Sequence, residues 1–173
     1  MQAGDPVCGT MVTKRPSILD ALKDRAHEKA VILCMGNIRK CDGGIGVKVG
    51  QMIDGKVIIP VINCGQSPHN YINPIKQKQP RTVIIVDAVD MKLSPGAVRV
   101  ISPKDIKDST FEGGGTSLRT FADIVAAETD AEVVIIAVQP KRVSFGMELS
   151  DEAQSSADKI AAQLMEAFPK HAS

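Results

Sequence analysis

The sequence predicts an α/β three-layer sandwich: a mostly parallel five-stranded sheet, one antiparallel edge strand, and helices on both faces. Two observations carry this. Four short runs of consecutive Val and Ile are unbroken rather than alternating, the mark of strands buried on both faces. The segments between them repeat apolar residues at helical spacing, so strand and helix alternate along the chain.

In chain order, Ser17 is placed to cap a helix that lines up Ile18, Leu19, Leu22 and Ala26. The first strand is Val31 to Met35, ending at Gly36-Asn37. Ile45, Val49 and Met52 mark a second helix that stops near Asp54-Gly55. Val57 to Ile62 reads as the second strand, with Pro60 inside it. Proline donates no ladder hydrogen bond, so this strand is expected at an edge or at a bulge. Pro68 to Lys78 holds a short third helix. Val83 to Val86 is the third strand, ending at Asp87. Ala97 to Ile101 follows Ser94-Pro95-Gly96 so closely that it reads as the antiparallel edge strand. Leu118, Phe121, Ile124 and Val125 form the fourth helix behind Ser117. Val133 to Val138 is the last buried strand. Ser150 opens a final helix with Ala157, Ile160, Leu164 and Phe168 on one face. Residues 1–15 are expected to be a loosely attached extension, and residues 16–173 one domain.

Composition narrows the function. The 173 residues carry 21 Lys+Arg against 20 Asp+Glu, a formal charge of +1. A nucleic-acid binder would show a basic stripe, and four Phe, one Tyr and no Trp give no base-stacking platform. No apolar run approaches the roughly 18 residues of a membrane span. The opening MQAGDPVCGTMVTKRP lacks an apolar signal core. Cys8, Cys34, Cys41 and Cys64 form no CxxC pair and no zinc spacing, which fits a reduced, cytoplasmic setting. Cys34 reads as buried, whereas Cys8 and Cys41 are expected at the surface.

Ligand crevices of open α/β sheets lie beyond the carboxyl ends of the strands. The loops there are 36–46, 63–71, 87–94, 113–117 and 139–145. Asp87 stands out, because a carboxylate ending a buried strand must be paired, capped by backbone N–H groups, or bound to a metal. The glycines after the first strand, Gly36, Gly43, Gly44, Gly46 and Gly50, fit no GxGxxG register, and there is no Walker A lysine. A nucleotide- or flavin-binding module is therefore the remote reading.

VILCMGNIRKCDGGIG (31–46), TVIIVDAVDMKLSP (82–95) and VIIAVQPKRVSF (134–145), in this order, resemble the nickel–iron hydrogenase maturation protease family. Ser67-Pro68-His69-Asn70 and VDAVDMKLSPGAVRVISPKDI look more narrowly like the branch serving formate-linked or energy-converting hydrogenases. The resemblance runs from about residue 31 to residue 152. It implies a hydrolase, an endopeptidase that removes the C-terminal extension of the nickel-loaded large-subunit precursor. It also implies a cleft metal held by three side chains: an acid in the first loop, the Asp ending the third strand, and a His before the following helix.

Carried over residue by residue, Asp87 matches the strand-end ligand. Asp42 falls on the neighbouring, non-ligand acid, and the ligand position itself is Gly43. The His position falls on Gly115. Asp42 and His69 are the candidate substitutes, with Asp90 and Glu112 nearby in sequence. Cys41 is a further soft donor or nucleophile for which only His69 would serve as base. Gly36, Asn37, Pro68, Asn70 and Asp90 are expected to line the substrate cleft. Three consequences stand side by side: substituted ligands around a weakly bound divalent metal, nickel supplied by the substrate with no cofactor in the isolated protein, or a non-catalytic relative that binds the large subunit as a checkpoint or chaperone.

Overall fold

A computed structural model describes residues 17–25, 29–107 and 117–171. Five strands, β1 (Ala30–Met35), β2 (Val61–Gly65), β3 (Thr82–Ala88), β4 (Val98–Ile101) and β5 (Glu132–Val138), form one sheet in the order β2-β1-β3-β5-β4. All neighbours are parallel except β4, which runs antiparallel to β5 at the edge.

Alternate side chains of the central strands point to opposite faces, and both faces are covered. On one side Ile32, Cys34, Ile84, Val86 and Ile136 meet α1 (Ile18–Leu22), α2 (Ile45–Ile53) and α5 (Asp151–Ala167). On the other, Val31, Leu33, Val83, Ile85 and Ile135 pack with α3 (Ile72–Gln77) and α4 (Leu118–Thr129). The unbroken Val/Ile runs are thus the centre layer of a sandwich.

Serine caps start three helices. Ser17 forms a capping box with Asp20, Ser117 accepts from the Thr120 N–H, and Ser150 accepts from the Ala153 N–H.

Two expectations need correction. The second strand is Val61–Gly65 rather than Val57–Ile62. Pro60 ends the approach to the strand, and its carbonyl accepts the first bond from the Ile32 N–H at 3.0 Å. The 57–59 stretch instead pairs with the chain's end, through the Val57–Pro169 bridge and the Ile58 N–H to the Phe168 carbonyl. The strand does lie at the sheet edge, where a preceding proline costs nothing. The third helix begins as a 3-10 turn, Pro68–Tyr71, before α3. Ala26 and residues 1–15 lie outside the described residues. Among the described residues no helix is long and apolar enough to cross a membrane.

Candidate active site

From β1 the chain moves outward to β2, then crosses back to β3 on the other side of β1. The loops leaving β1 and β3 therefore diverge, and the crevice opens between their carboxyl ends. Asp87 stands there, next to Val86, which pairs with Cys34 of β1. The first loop, residues 36–44, folds back across the same ends. A Cβ on Gly46, in the first turn of α2, would collide with the carbonyl oxygens of Met35 and Val86. Only glycine lets this helix sit directly on the ends of β1 and β3.

Asp87 is partly exposed, and its Oδ1 accepts the N–H of Ala88 at 2.8 Å. Burial among apolar strand ends pushes its carboxyl up to about 7, with the Ala88 N–H opposing the shift. A raised carboxyl favours the protonated native state, so stability declines as pH climbs from about 4 to about 7. The limiting slope is ~1.4 kcal/mol per pH unit for one such group. In metal-free protein, Asp87→Asn should therefore flatten this slope and be relatively more stable at pH 8 than at pH 5. Urea melts at the two pH values measure it; parallel pH dependence in both proteins would show that Asp87 does not titrate this way.

Asp42 is turned inward. It is 1% exposed, in a 3-10 turn spanning Cys41–Gly44. Its Oδ1 accepts the Ser150 N–H at 2.7 Å, and its Oδ2 accepts the Ser150 hydroxyl at 2.7 Å and the Lys141 and Arg142 N–H groups at 2.8 and 3.3 Å. Burial pushes this carboxyl up, but the four donors outweigh it and hold it below the ordinary carboxylate value. Its lone pairs are spent on clasping the first loop to the β5–α5 connection. In this structure Asp42 serves as a structural carboxylate, with both oxygens engaged by protein donors.

Gly43 has no backbone need to be glycine. A Cβ there would meet the Lys40 Cβ at 3.3 Å and the Asn37 carbonyl at 3.8 Å, so the Lys40 side chain would have to give by a few tenths of an ångström. Gly36 differs: with φ of 134° and Gly43's carbonyl oxygen against it, it admits no side chain. Gly115 and Glu112 lie outside the described residues.

The other residues expected in the site fall around its rim. Asn37 holds the first loop, accepting the Arg39 N–H at 2.9 Å and donating to Gln66 at 3.0 Å. Pro68 is buried at the start of its 3-10 turn, and Asn70 is exposed there. His69 is exposed, its ring edge-on to Phe121 of α4 at 5.7 Å between centroids. It is thus seated on an apolar ring. Asp90 is bound by Lys92, whose ammonium and N–H hold its carboxyl down to about 2, with Gln139 adding a 3.2 Å bond. Its oxygens are occupied too.

Cys41, expected at the surface, is 6% exposed. Its N–H donates to the Gly146 carbonyl at 2.7 Å, which draws the first loop under residues 141–146 and covers the thiol. Cys34 is buried as expected, and burial pushes its thiol up to about 12.

Gln139, buried, ties the loops together. Its Oε1 accepts the Met91 and Leu93 N–H groups at 2.7 and 3.2 Å, which fixes the exit of β3 against the end of β5.

Among the described residues no three His, Cys, Asp or Glu side chains converge on a metal position. Asp87 keeps one carboxyl oxygen, Oδ2, that accepts no hydrogen bond from the described residues. The described donor set does not fit a resident three-ligand metal centre.

Comparison with known proteins bears directly on these loops. Residues 45–167, which include Asp87 and Gln139, match the family model described as hydrogenase maturation protease. The Hydrogenase 3 maturation protease of Escherichia coli K12 is 32% identical over 117 residues, covering 66% of this chain and 75% of that protein. The crystal structure of the nickel–iron hydrogenase maturation protease HycI from Thermococcus kodakarensis superposes with a TM-score of 0.73 at 25% identity, over 81% of this chain and 92% of that one. The solution structure of the endopeptidase HycI from Escherichia coli gives 0.71 at 28% identity, over 83% and 97%. With Asp87 at the switch point of this sheet and the matched segment spanning most of the chain, the protein belongs to the hydrogenase maturation protease family.

Proposed function

We propose that this protein recognises the nickel-loaded large-subunit precursor of a nickel–iron hydrogenase and removes its C-terminal extension. The observation that carries the reading is Asp87, a carboxyl at the β1/β3 switch point whose Oδ2 accepts no hydrogen bond from the described residues. The competing carboxylates Asp42 and Asp90 are occupied by protein donors. The nickel is read as part of the substrate, with Asp87 its contact on the protease. His69 remains a proposed substitute ligand from the family pattern.

The test is incubation of the purified protein with nickel-loaded precursor, followed by mass measurement of the large subunit. The expected result is a product shortened at its C-terminus. No cleavage by wild type, together with cleavage by a Gly43→Asp/Gly115→His double variant, would overturn the enzyme reading and make the natural chain a non-cutting binder. At Gly43 no left-handed backbone bars a side chain, and the Asp half of that variant requires the Lys40 side chain, 3.3 Å from the new Cβ, to give by a few tenths of an ångström.

A further inference from the structure

Large apolar side chains stand exposed at few places among the described residues: Ile38 (38%), Ile58 (50%), Val143 (42%), Phe145 (87%) and Met147 (66%). All but Ile58 lie in two segments that are bonded to each other. Lys40 bridges to Gly146, the Cys41 N–H donates to the Gly146 carbonyl at 2.7 Å, and the Gly146 N–H donates to the Arg39 carbonyl at 2.9 Å. A Cβ on Gly146 would sit 2.7 Å from the Cys41 sulfur, so glycine permits this approach. Asp42 pins the same connection at Lys141 and Arg142, and Ser150 anchors its far end.

Val143, Phe145 and Met147 are therefore displayed from a backbone held at both ends, beside the first loop of the candidate active site. Arg39 and Arg142 are exposed within the same two segments. Lys141 is engaged by Glu152 at 2.7 Å, and Glu148 is the segment's own acid. Exposed large apolar side chains gathered on two hydrogen-bonded segments mark an interaction surface. Aromatic, methionine and arginine side chains are the types that dominate such surfaces.

We propose that Ile38, Val143, Phe145 and Met147, with Arg39 and Arg142, form the docking surface for the precursor, taking an extended segment that carries both apolar side chains and carboxylates. Two features of the patch select this occupant. The arginines complement carboxylates, and the exposed Val143, Phe145 and Met147 complement apolar side chains. The surface is also joined by hydrogen bonds to the first loop, which leaves the carboxyl end of β1, the strand paired with Asp87's own β3.

This rests on the functional reading above, and the experiment separates the two. Binding of full-length protein to nickel-loaded precursor is measured by biolayer interferometry, and cleavage by mass, for wild type, Phe145→Ser/Met147→Ser and Arg142→Glu. We expect Kd to rise at least tenfold in both variants, with unchanged circular dichroism and melting, and cleavage at saturating precursor close to wild type. Because these side chains are exposed, the variants should fold. Should they bind within twofold of wild type, the docking surface is wrong while the functional reading stands. Should wild type neither bind nor cleave, both fall. A wild-type dimer that becomes monomeric in Phe145→Ser/Met147→Ser would assign the patch to a second copy and overturn the proposal.

Discussion

Asp87→Ala is expected to lower precursor processing by about 100-fold or more, with the fold intact. Removal of a group acting directly at a reacting centre commonly costs this much. Here the expectation is sharpened by what surrounds Asp87. Asp42 and Asp90 are committed to protein donors, Gly43 offers no side chain, and His69 rests against Phe121. Asp42 and Asp90 are thus kept from taking its place. Stability should not fall with activity, because the carboxyl resides where burial opposes its charge. Asp87→Asn supplies the contrast: it keeps the shape and the polar contact but loses the charge. Processing assayed by mass, alongside thermal melts, decides the matter. Full processing by Asp87→Ala would remove Asp87 from the chemistry.

Asp42→Ala is expected to cost about 3 kcal/mol or more, a large part of the ~5–15 kcal/mol that holds a domain folded. The variant leaves the Ser150 N–H and hydroxyl and the Lys141 and Arg142 N–H groups without their acceptor. Each unpaired buried donor carries its own desolvation cost, and bonds to a charged acceptor are the stronger kind. The effect is pH-dependent with a definite sign. Because the native carboxyl lies below its ordinary value, its contribution is complete above about pH 4 and is lost as pH falls through the native value. Urea unfolding at pH 7 and at pH 3 should show the gap between wild type and variant narrowing at the lower pH. A loss under 1 kcal/mol at pH 7 would mean the clasp is not holding the two loops.

These two carboxylates show how far local reading reached. Asp87 was legible because a charge directly after VIIV contradicts its surroundings, and that contradiction needs only the neighbouring residues to be seen. Asp42 was not. Its partners are 99 to 108 residues away, and nothing in CDGG announces a buried clasp. For the same reason Cys41 was expected at the surface. Glycine and charge flank it, but Gly146 comes from the far end of the chain to cover it. The Val57–Ile62 run misplaced its strand because Val57 and Ile59 are buried against the α5 side of the core rather than in the sheet. Apolar patterning reports burial, not which partner does the burying.

Periodicity, strand-end punctuation and serine caps determined, from the sequence alone, the number of strands, the covered faces of the sheet, the antiparallel edge and the position of Asp87. These follow from interactions between residues a few positions apart. Tertiary structure alone decided which carboxylates are spent on the fold, that a Cβ at Gly43 would press on the Lys40 side chain, and that Phe145 and Met147 stand exposed beside the first loop. Those are settled by which distant backbone donors reach a lone pair, and by which distant atoms fill or leave open the space around a side chain. No local pattern encodes either.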